Sequence, residues 1–166
     1  YGAGSAPHLV GTLLEQAAGV SMQDVPYKGS SQALMALIGG EVQLGIDTVA
    51  AAAPHIRSGK LRGLAIAGAM RSSLFPDIAT VNELKLPGAA FDGWYAMAAP
   101  ARTPQAIVSR LQAEVTAIMA DPDMQAQIRA QAMEPVNIGP AAVRKLIDEE
   151  ITRYRAHAWR AKIVVE

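Results

Sequence analysis

The sequence contains no cysteine, and this absence excludes disulfide bonds, thiolate metal ligands and a cysteine nucleophile. It also lacks an excess of either charge, because 15 Lys and Arg residues balance 15 Asp and Glu residues. Since no basic run stands out, we expect no nucleic-acid partner. No apolar run approaches the roughly 18 residues that a membrane-spanning helix needs. These absences turn attention to small-molecule and protein partners.

The sequence does have enough apolar residues for a folded core. Hydrophobic residues make up 51% of its 166 residues, a share typical of a folded domain rather than a disordered chain. The chain has no initiating Met and opens inside a glycine-rich motif. We therefore interpret it as a mature fragment or a truncated chain.

Helical and extended patterns alternate along the chain. Apolar residues at helical spacing predict helices over 5–18, 32–38, 49–58, from 103–104 onward, from 121–122 to about 133, and over 141–160. Short apolar runs predict strands over 20–26, 42–46, 61–67 and 91–98. Thr80 and Glu83 have the spacing of a capping box and predict a further short helix. Such alternation predicts an α/β fold with a parallel sheet.

A glycine-rich turn at the start of the chain leads directly into the first predicted helix. Gly2 and Gly4 allow a close approach of the backbone to a ligand, and Ser5 is a suitable N-cap residue. A helix start presents unpaired N–H groups and the positive end of the helix dipole, which suits a carboxylate. The alternative interpretation is a glycine turn before an ordinary capped helix.

Three helix starts are predicted at the ends of strands. Ser5, Ser30 or Ser31, and Thr48 cap these helices, provided that a strand precedes the first of them. Ligands of parallel α/β sheets bind beyond the carboxyl ends of the strands. The pattern therefore predicts an anion site built from helix starts, without charged ligating residues.

Four motifs resemble one known family, in the same order along the chain. They are VPYKG at 25–29, GEVQ at 40–43 followed by Asp-Thr at 47–48, PHIRSGKLR at 54–62, and the Ala/Pro-rich junction at 99–104. The sequence is similar to the extracytoplasmic solute receptors of tripartite tricarboxylate transporters, also called Bug or TctC-type binding proteins. The resemblance covers essentially the whole chain.

The resemblance implies a fold of the periplasmic binding protein type II class, with two α/β domains. By this resemblance, residues 1–86 form the second α/β domain. Residues 87–166 supply a crossover strand and C-terminal helices that complete the first domain, whose N-terminal half is absent here. The apolar faces of these helices then need another cover, and a homodimer could provide it.

The candidate ligand-binding residues lie at predicted helix starts and strand ends. We expect backbone N–H groups and the Ser5 hydroxyl to contact a carboxylate. Asp47 is unusual at an anion site, and it could bind a ligand amine, orient a loop or accept backbone N–H bonds. The full set is Gly4, Ser5, His8, Tyr27, Asp47 and Thr48.

The resemblance implies a periplasmic receptor. This receptor captures a small carboxylate and delivers it to a membrane permease. Ligands of the family include di- and tricarboxylates, amino acids and aromatic acids. We expect no cofactor, and no metal, because His55 and His157 have no partner at metal-ligand spacing. One alternative is a structural or oligomerising fragment without a ligand. A serine hydrolase is less favoured, because Ala3 and Pro7 replace the two glycines of a nucleophile elbow around Ser5.

Overall fold

The computed structural model describes residues 4–160, and it is predominantly helical. The opening residues of the glycine-rich motif, 1–3, lie outside this range. The helices lie within a few residues of the predicted ones. They are α1 (Ala6–Ala18), α2 (Ser30–Gly39), α3 (Val49–Arg57), α4 (Gln105–Ala120), α5 (Pro122–Ala130) and α6 (Gly139–Arg160), with one 3-10 turn at Pro87–Ala89.

Local capping explains where these helices begin and end. The Thr48 hydroxyl accepts a hydrogen bond from the Ala51 N–H at 3.3 Å, and the Asp121 carboxylate accepts one from the Met124 N–H at 2.9 Å. Gly40 closes α2 in the left-handed conformation with φ 78°. The prediction that Ser30 or Ser31 caps α2 was wrong. Gly29 is the N-cap residue, and Ser30 is the first residue of the helix.

The four predicted strands are not regular strands in the described part of the chain. The pairing found there is an isolated parallel bridge between Ile66 and Thr80. In it, the Ile66 N–H donates to Ala79 O at 2.9 Å and the Val81 N–H donates to Ile66 O at 2.8 Å. A strand is stabilised by lateral hydrogen bonds to a neighbour. The predicted segments lack such a ladder among the described residues, and their apolar pattern alone does not make a sheet.

The predicted short helix after Thr80 is a hydrogen-bonded turn. Its capping box is confirmed, because the Thr80 N–H donates to Glu83 Oε2 at 2.7 Å and the Glu83 N–H donates to Thr80 Oγ1 at 3.2 Å. Lys85 then adopts φ 62°. A non-glycine residue in this left-handed region ends the helical path after one turn.

The chain divides into two compact units. Unit 1 contains the described residues up to Gly93 and those from Arg153 onward, and unit 2 is Trp94–Thr152. The predicted domain boundary at 86/87 stays a prediction about the whole protein. No helix among residues 4–160 is both long and apolar enough to cross a membrane.

Unit 1 contains the hydrophobic core of the described residues. Its buried apolar side chains come from α1, α2, α3 and the segment around the 3-10 turn: Val10, Leu13, Leu34, Ala36, Ala53, Val81 and Ala89. Helix α1 packs against the 3-10 turn, where a Cβ on Gly88 would lie 3.4 Å from Ala17 Cβ. In unit 2, α4 packs on α5, and neither helix has a buried residue.

Candidate ligand-binding site

The start of α1 is held by its glycine turn and a histidine. Gly4 adopts φ 80°, a conformation that favours glycine. The Gly4 N–H donates a hydrogen bond to His8 Nδ1 at 3.0 Å. His8 therefore fixes the turn from one helical turn further along the chain.

This hydrogen bond also determines which nitrogen of His8 carries the proton. Nδ1 can accept from the Gly4 N–H only through its lone pair. The neutral imidazole then carries its proton on Nε2, which can donate to an anion. His8 is thus compatible with carboxylate binding while it stabilises the turn.

The Ser5 hydroxyl is the least expected feature of the site. Ser5 occupies the N-cap position with extended backbone angles, φ −72° and ψ 162°, but its side chain does not cap the helix. Its Oγ is buried without a hydrogen-bond partner in the described structure. A buried polar group left in this way costs about 1–3 kcal/mol. A hydroxyl that leaves its capping role unused is suited to a partner outside the described chain.

A second cluster joins the starts of α2 and α3. Asp47 accepts hydrogen bonds from the Ser30 hydroxyl through Oδ2 and from the Thr48 N–H, at 2.7 Å, through Oδ1. Thr48 in turn caps α3 with its hydroxyl oxygen. Of the alternatives for Asp47, the structure shows the acceptance of a backbone N–H. It adds a partner that the sequence did not indicate, because no local pattern connects Ser30 with a residue 17 positions away.

The structure relates the two clusters through Ile46. A Cβ placed on Gly11 of α1 would meet Ile46 Cδ1 at 3.6 Å, so the residue before Asp47 lies against α1. Tyr27 is half-buried, and it interacts with the rest of the chain. Five of the six predicted site residues thus fall into two groups at helix starts, and Tyr27 belongs to neither. The groups are Gly4, Ser5 and His8 at α1, and Asp47 with Thr48 at α3.

Glu83, in another part of unit 1, has a strongly lowered pKa. Arg71 forms hydrogen bonds with the carboxylate of Glu83, and the shortest is 2.9 Å. These bonds, followed by the bond from the Thr80 N–H, lower the pKa of Glu83 to about 2. Arg71 also donates to Pro76 O at 2.8 Å. The pair fixes the loop 71–83 and is a structural contact.

Within residues 4–160, no group of three or more His, Cys, Asp or Glu side chains is placed to hold a metal ion. The candidate site contains helix starts, hydroxyls, one imidazole and the Asp47 carboxylate. Its donors are small and neutral, and they suit the oxygens of an anion.

Comparison with known proteins identifies the family. The model of the tripartite tricarboxylate transporter family receptor, TctC, matches residues 1–159. The chain belongs to this family. BugT of Bordetella pertussis (strain Tohama I) is 35% identical to this TctC-family chain over 151 residues, which are 91% of the chain and 46% of BugT. By its name, this family consists of receptors of tripartite tricarboxylate transporters.

Solved structures confirm the expected fold class. The R. palustris protein Rpa4515 with adipate is similar, with a TM-score of 0.89 and 32% identity over 97% of this chain and 54% of that one. The periplasmic binding protein BugD gives a TM-score of 0.85 and 30% identity, over 96% of this chain and 54% of BugD. The TctC-family chain thus has part of a periplasmic binding protein fold, and it spans about half the length of these relatives.

Proposed function

We propose that the chain binds a small carboxylate and belongs to a periplasmic receptor that delivers this solute to the permease of a tripartite tricarboxylate transporter. The observation that carries the proposal is the buried Ser5 hydroxyl without a partner, at the start of α1. The family assignment supports the transport role. The adipate named with Rpa4515 supports the carboxylate class.

The recognition chemistry relies on neutral donors. The Ser5 hydroxyl and the first N–H groups of α1 donate to one carboxylate, where the positive end of the helix dipole stabilises the charge. His8 Nε2 and the Thr48 hydroxyl proton are further donors, because His8 Nδ1 and the Thr48 oxygen are the atoms that accept. Asp47 orients the second cluster rather than binding the anion.

A second candidate function is an oligomerising fragment, because α4 of unit 2 exposes apolar side chains. Ile107, Leu111 and Ile118 are 50%, 44% and 47% exposed, and they recur at helical spacing. A second copy of the chain that covers this face would form a homodimer. The two candidates rest on different units, since Ser5 lies in unit 1 and the exposed face of α4 lies in unit 2.

The proposed function predicts that Ser5→Ala weakens carboxylate binding without lowering stability. The substitution removes a donor to the ligand and also removes a buried hydroxyl that has no partner in the chain. Loss of a hydrogen bond to a charged group of about 1.5–3 kcal/mol corresponds to an affinity loss of roughly 10- to 100-fold. Isothermal titration with adipate and other di- and tricarboxylates measures the affinity, and urea unfolding measures the stability.

Two controls sharpen this experiment. Ser31→Ala removes an exposed hydroxyl from the first turn of α2 and should leave the affinity unchanged. Thr48→Ala should weaken binding, whereas Thr48→Ser keeps the hydroxyl and should bind like the parent chain. Equal carboxylate affinity of the parent, Ser5→Ala and Thr48→Ala chains, or no affinity at all in the parent, contradicts the proposal.

A further inference from the structure

A group of unpaired cations lies at the end of α3 and just beyond it. From residue 48 to residue 76 the sequence has four cations, Arg57, Lys60, Arg62 and Arg71, and no Asp or Glu. Arg71 is held in its ion pair. The other three side chains are exposed and form no ion pair with any residue in the range 4–160. We call Arg57, Lys60 and Arg62 the basic corner.

The backbone under the basic corner is held by a tight turn. Gly59 adopts φ 71°, and the N–H groups of Lys60 and Leu61 both donate to His55 O, at 3.0 and 3.1 Å. This is the hydrogen bonding of a glycine-terminated helix. Because Arg62 follows two residues after Lys60, the three cations lie within one short segment of chain.

An aromatic contact also restrains the first cation. The Arg57 guanidinium lies over the ring of Phe75, 5.8 Å from its centroid, within the range of a cation–π contact. The loop that carries Phe75 is fixed in turn by the Arg71 hydrogen bond to Pro76 O. Holding the charge in place lowers the entropy that a binding partner must remove.

Compensation of the helix dipole explains only part of this arrangement. A cation in the last turn of a helix stabilises the helix by about 0.3–1 kcal/mol, and Arg57 has this position in α3. Lys60 and Arg62 lie beyond Gly59, outside the helix. The net charge of the whole chain is zero, so the basic corner is a local concentration of charge.

We propose that the basic corner docks an acidic protein surface. Clusters that bind anionic lipids have about four to eight Lys or Arg residues, and the basic corner has three. Leu64, two residues after Arg62, is 59% exposed and offers an apolar contact beside the charges. The rim of a protein interface is polar and solvent-accessible, and complementary charges across it speed association.

The test uses the whole chain with all three cations reversed, as Arg57→Glu/Lys60→Glu/Arg62→Glu. The control Arg102→Glu/Arg144→Glu/Arg155→Glu changes the net charge equally at exposed residues elsewhere. The probe is the permease of the transporter in lipid nanodiscs, and the rate of association is measured at several salt concentrations. The docking proposal rests on the proposed function only in the choice of the permease as the probe.

We expect association with the probe to slow about tenfold or more in the reversed variant, and to change less than about threefold in the control. Salt should slow the parent chain and leave the reversed variant almost unaffected. Lys60→Glu alone, in an exposed turn, should give an intermediate rate and guards against misfolding of the triple variant. Adipate titration is unchanged in all variants, so failure of carboxylate binding is distinguishable from failure of docking.

Three results overturn the docking proposal. The first is equal association of the reversed and control variants with the probe. The second is equal association of the parent chain with nanodiscs that contain anionic lipid but no permease, which would assign the basic corner to lipid. The third is no detectable association of the parent chain with the probe.

Discussion

At the scale of single residues, the chemistry of the site depends on which groups already have partners. Ser5 and Asp47 have opposite roles that their residue types alone did not reveal. The Ser5 hydroxyl leaves its capping role unused, whereas the Asp47 carboxylate is engaged by Ser30 and Thr48. A serine is an ordinary N-cap, so the sequence predicts the cap and not the unpartnered oxygen.

Asp47→Ala should destabilise unit 1. The substitution leaves the Ser30 hydroxyl and the Thr48 N–H without their acceptor, and a hydrogen bond to a charged group contributes about 1.5–3 kcal/mol. We expect a fall of about 1–3 kcal/mol in the free energy of unfolding, measured by urea titration. Asp47→Asn retains an oxygen acceptor and should lose less.

Asp24 provides the matched control for this prediction. Its side chain is exposed, and Asp24→Ala should change the free energy of unfolding by less than about 0.5 kcal/mol. If Asp47→Ala unfolds at the same urea concentration as Asp24→Ala, the Asp47 contacts contribute nothing measurable, and its orienting role is wrong.

At the scale of elements, the sequence predicts what is local and misses what is distant. The helices follow from residues within a few positions of each other, such as the Thr48 cap and the left-handed Gly40. A strand instead needs a neighbour supplied by another part of the chain. The chain spans about half the length of BugT and of Rpa4515. Within residues 4–160, the pairing is the isolated bridge between Ile66 and Thr80.

The capping box formed by Thr80 and Glu83 gives a prediction about the pH dependence of stability. Arg71 and the Thr80 N–H hold the pKa of Glu83 at about 2, below its ordinary value of 4.5. A lowered pKa in the folded state means that the charged carboxylate stabilises the fold. This stabilisation is complete above about pH 4.5 and is lost as the pH falls towards about 2. Glu83→Gln keeps a residue type that can complete a capping box, but it removes the negative charge.

The unfolding free energies of the parent chain and Glu83→Gln should therefore differ most above pH 4.5 and converge as the pH falls towards 2. Urea titrations at several pH values measure this difference. In an Arg71→Gln background, the pH dependence of the difference should be strongly reduced, because Arg71 is the largest cause of the shift. A difference that stays constant from pH 7 to pH 2 contradicts the assigned role of the ion pair.

At the scale of the whole molecule, the two units differ in how they bury apolar surface. The buried apolar side chains of the described residues belong to unit 1. Unit 2 exposes apolar side chains along α4, and its helices α4 and α5 have no buried residue. Because exposed apolar faces of this kind favour association, the chain should not remain a monomer in solution.

Light scattering coupled to size-exclusion chromatography should therefore give about twice the chain mass of 17.5 kDa. Leu111 is 44% exposed at the centre of the apolar face of α4. Leu111→Glu places a charge there and should shift the protein towards the monomer, because an unpaired charge is costly to desolvate at an interface. Ser109→Glu adds the same charge about half a turn away on α4 and should leave the dimer intact. A parent chain that elutes as a monomer at all concentrations would show that unit 2 needs no second copy, and the homodimer would be wrong.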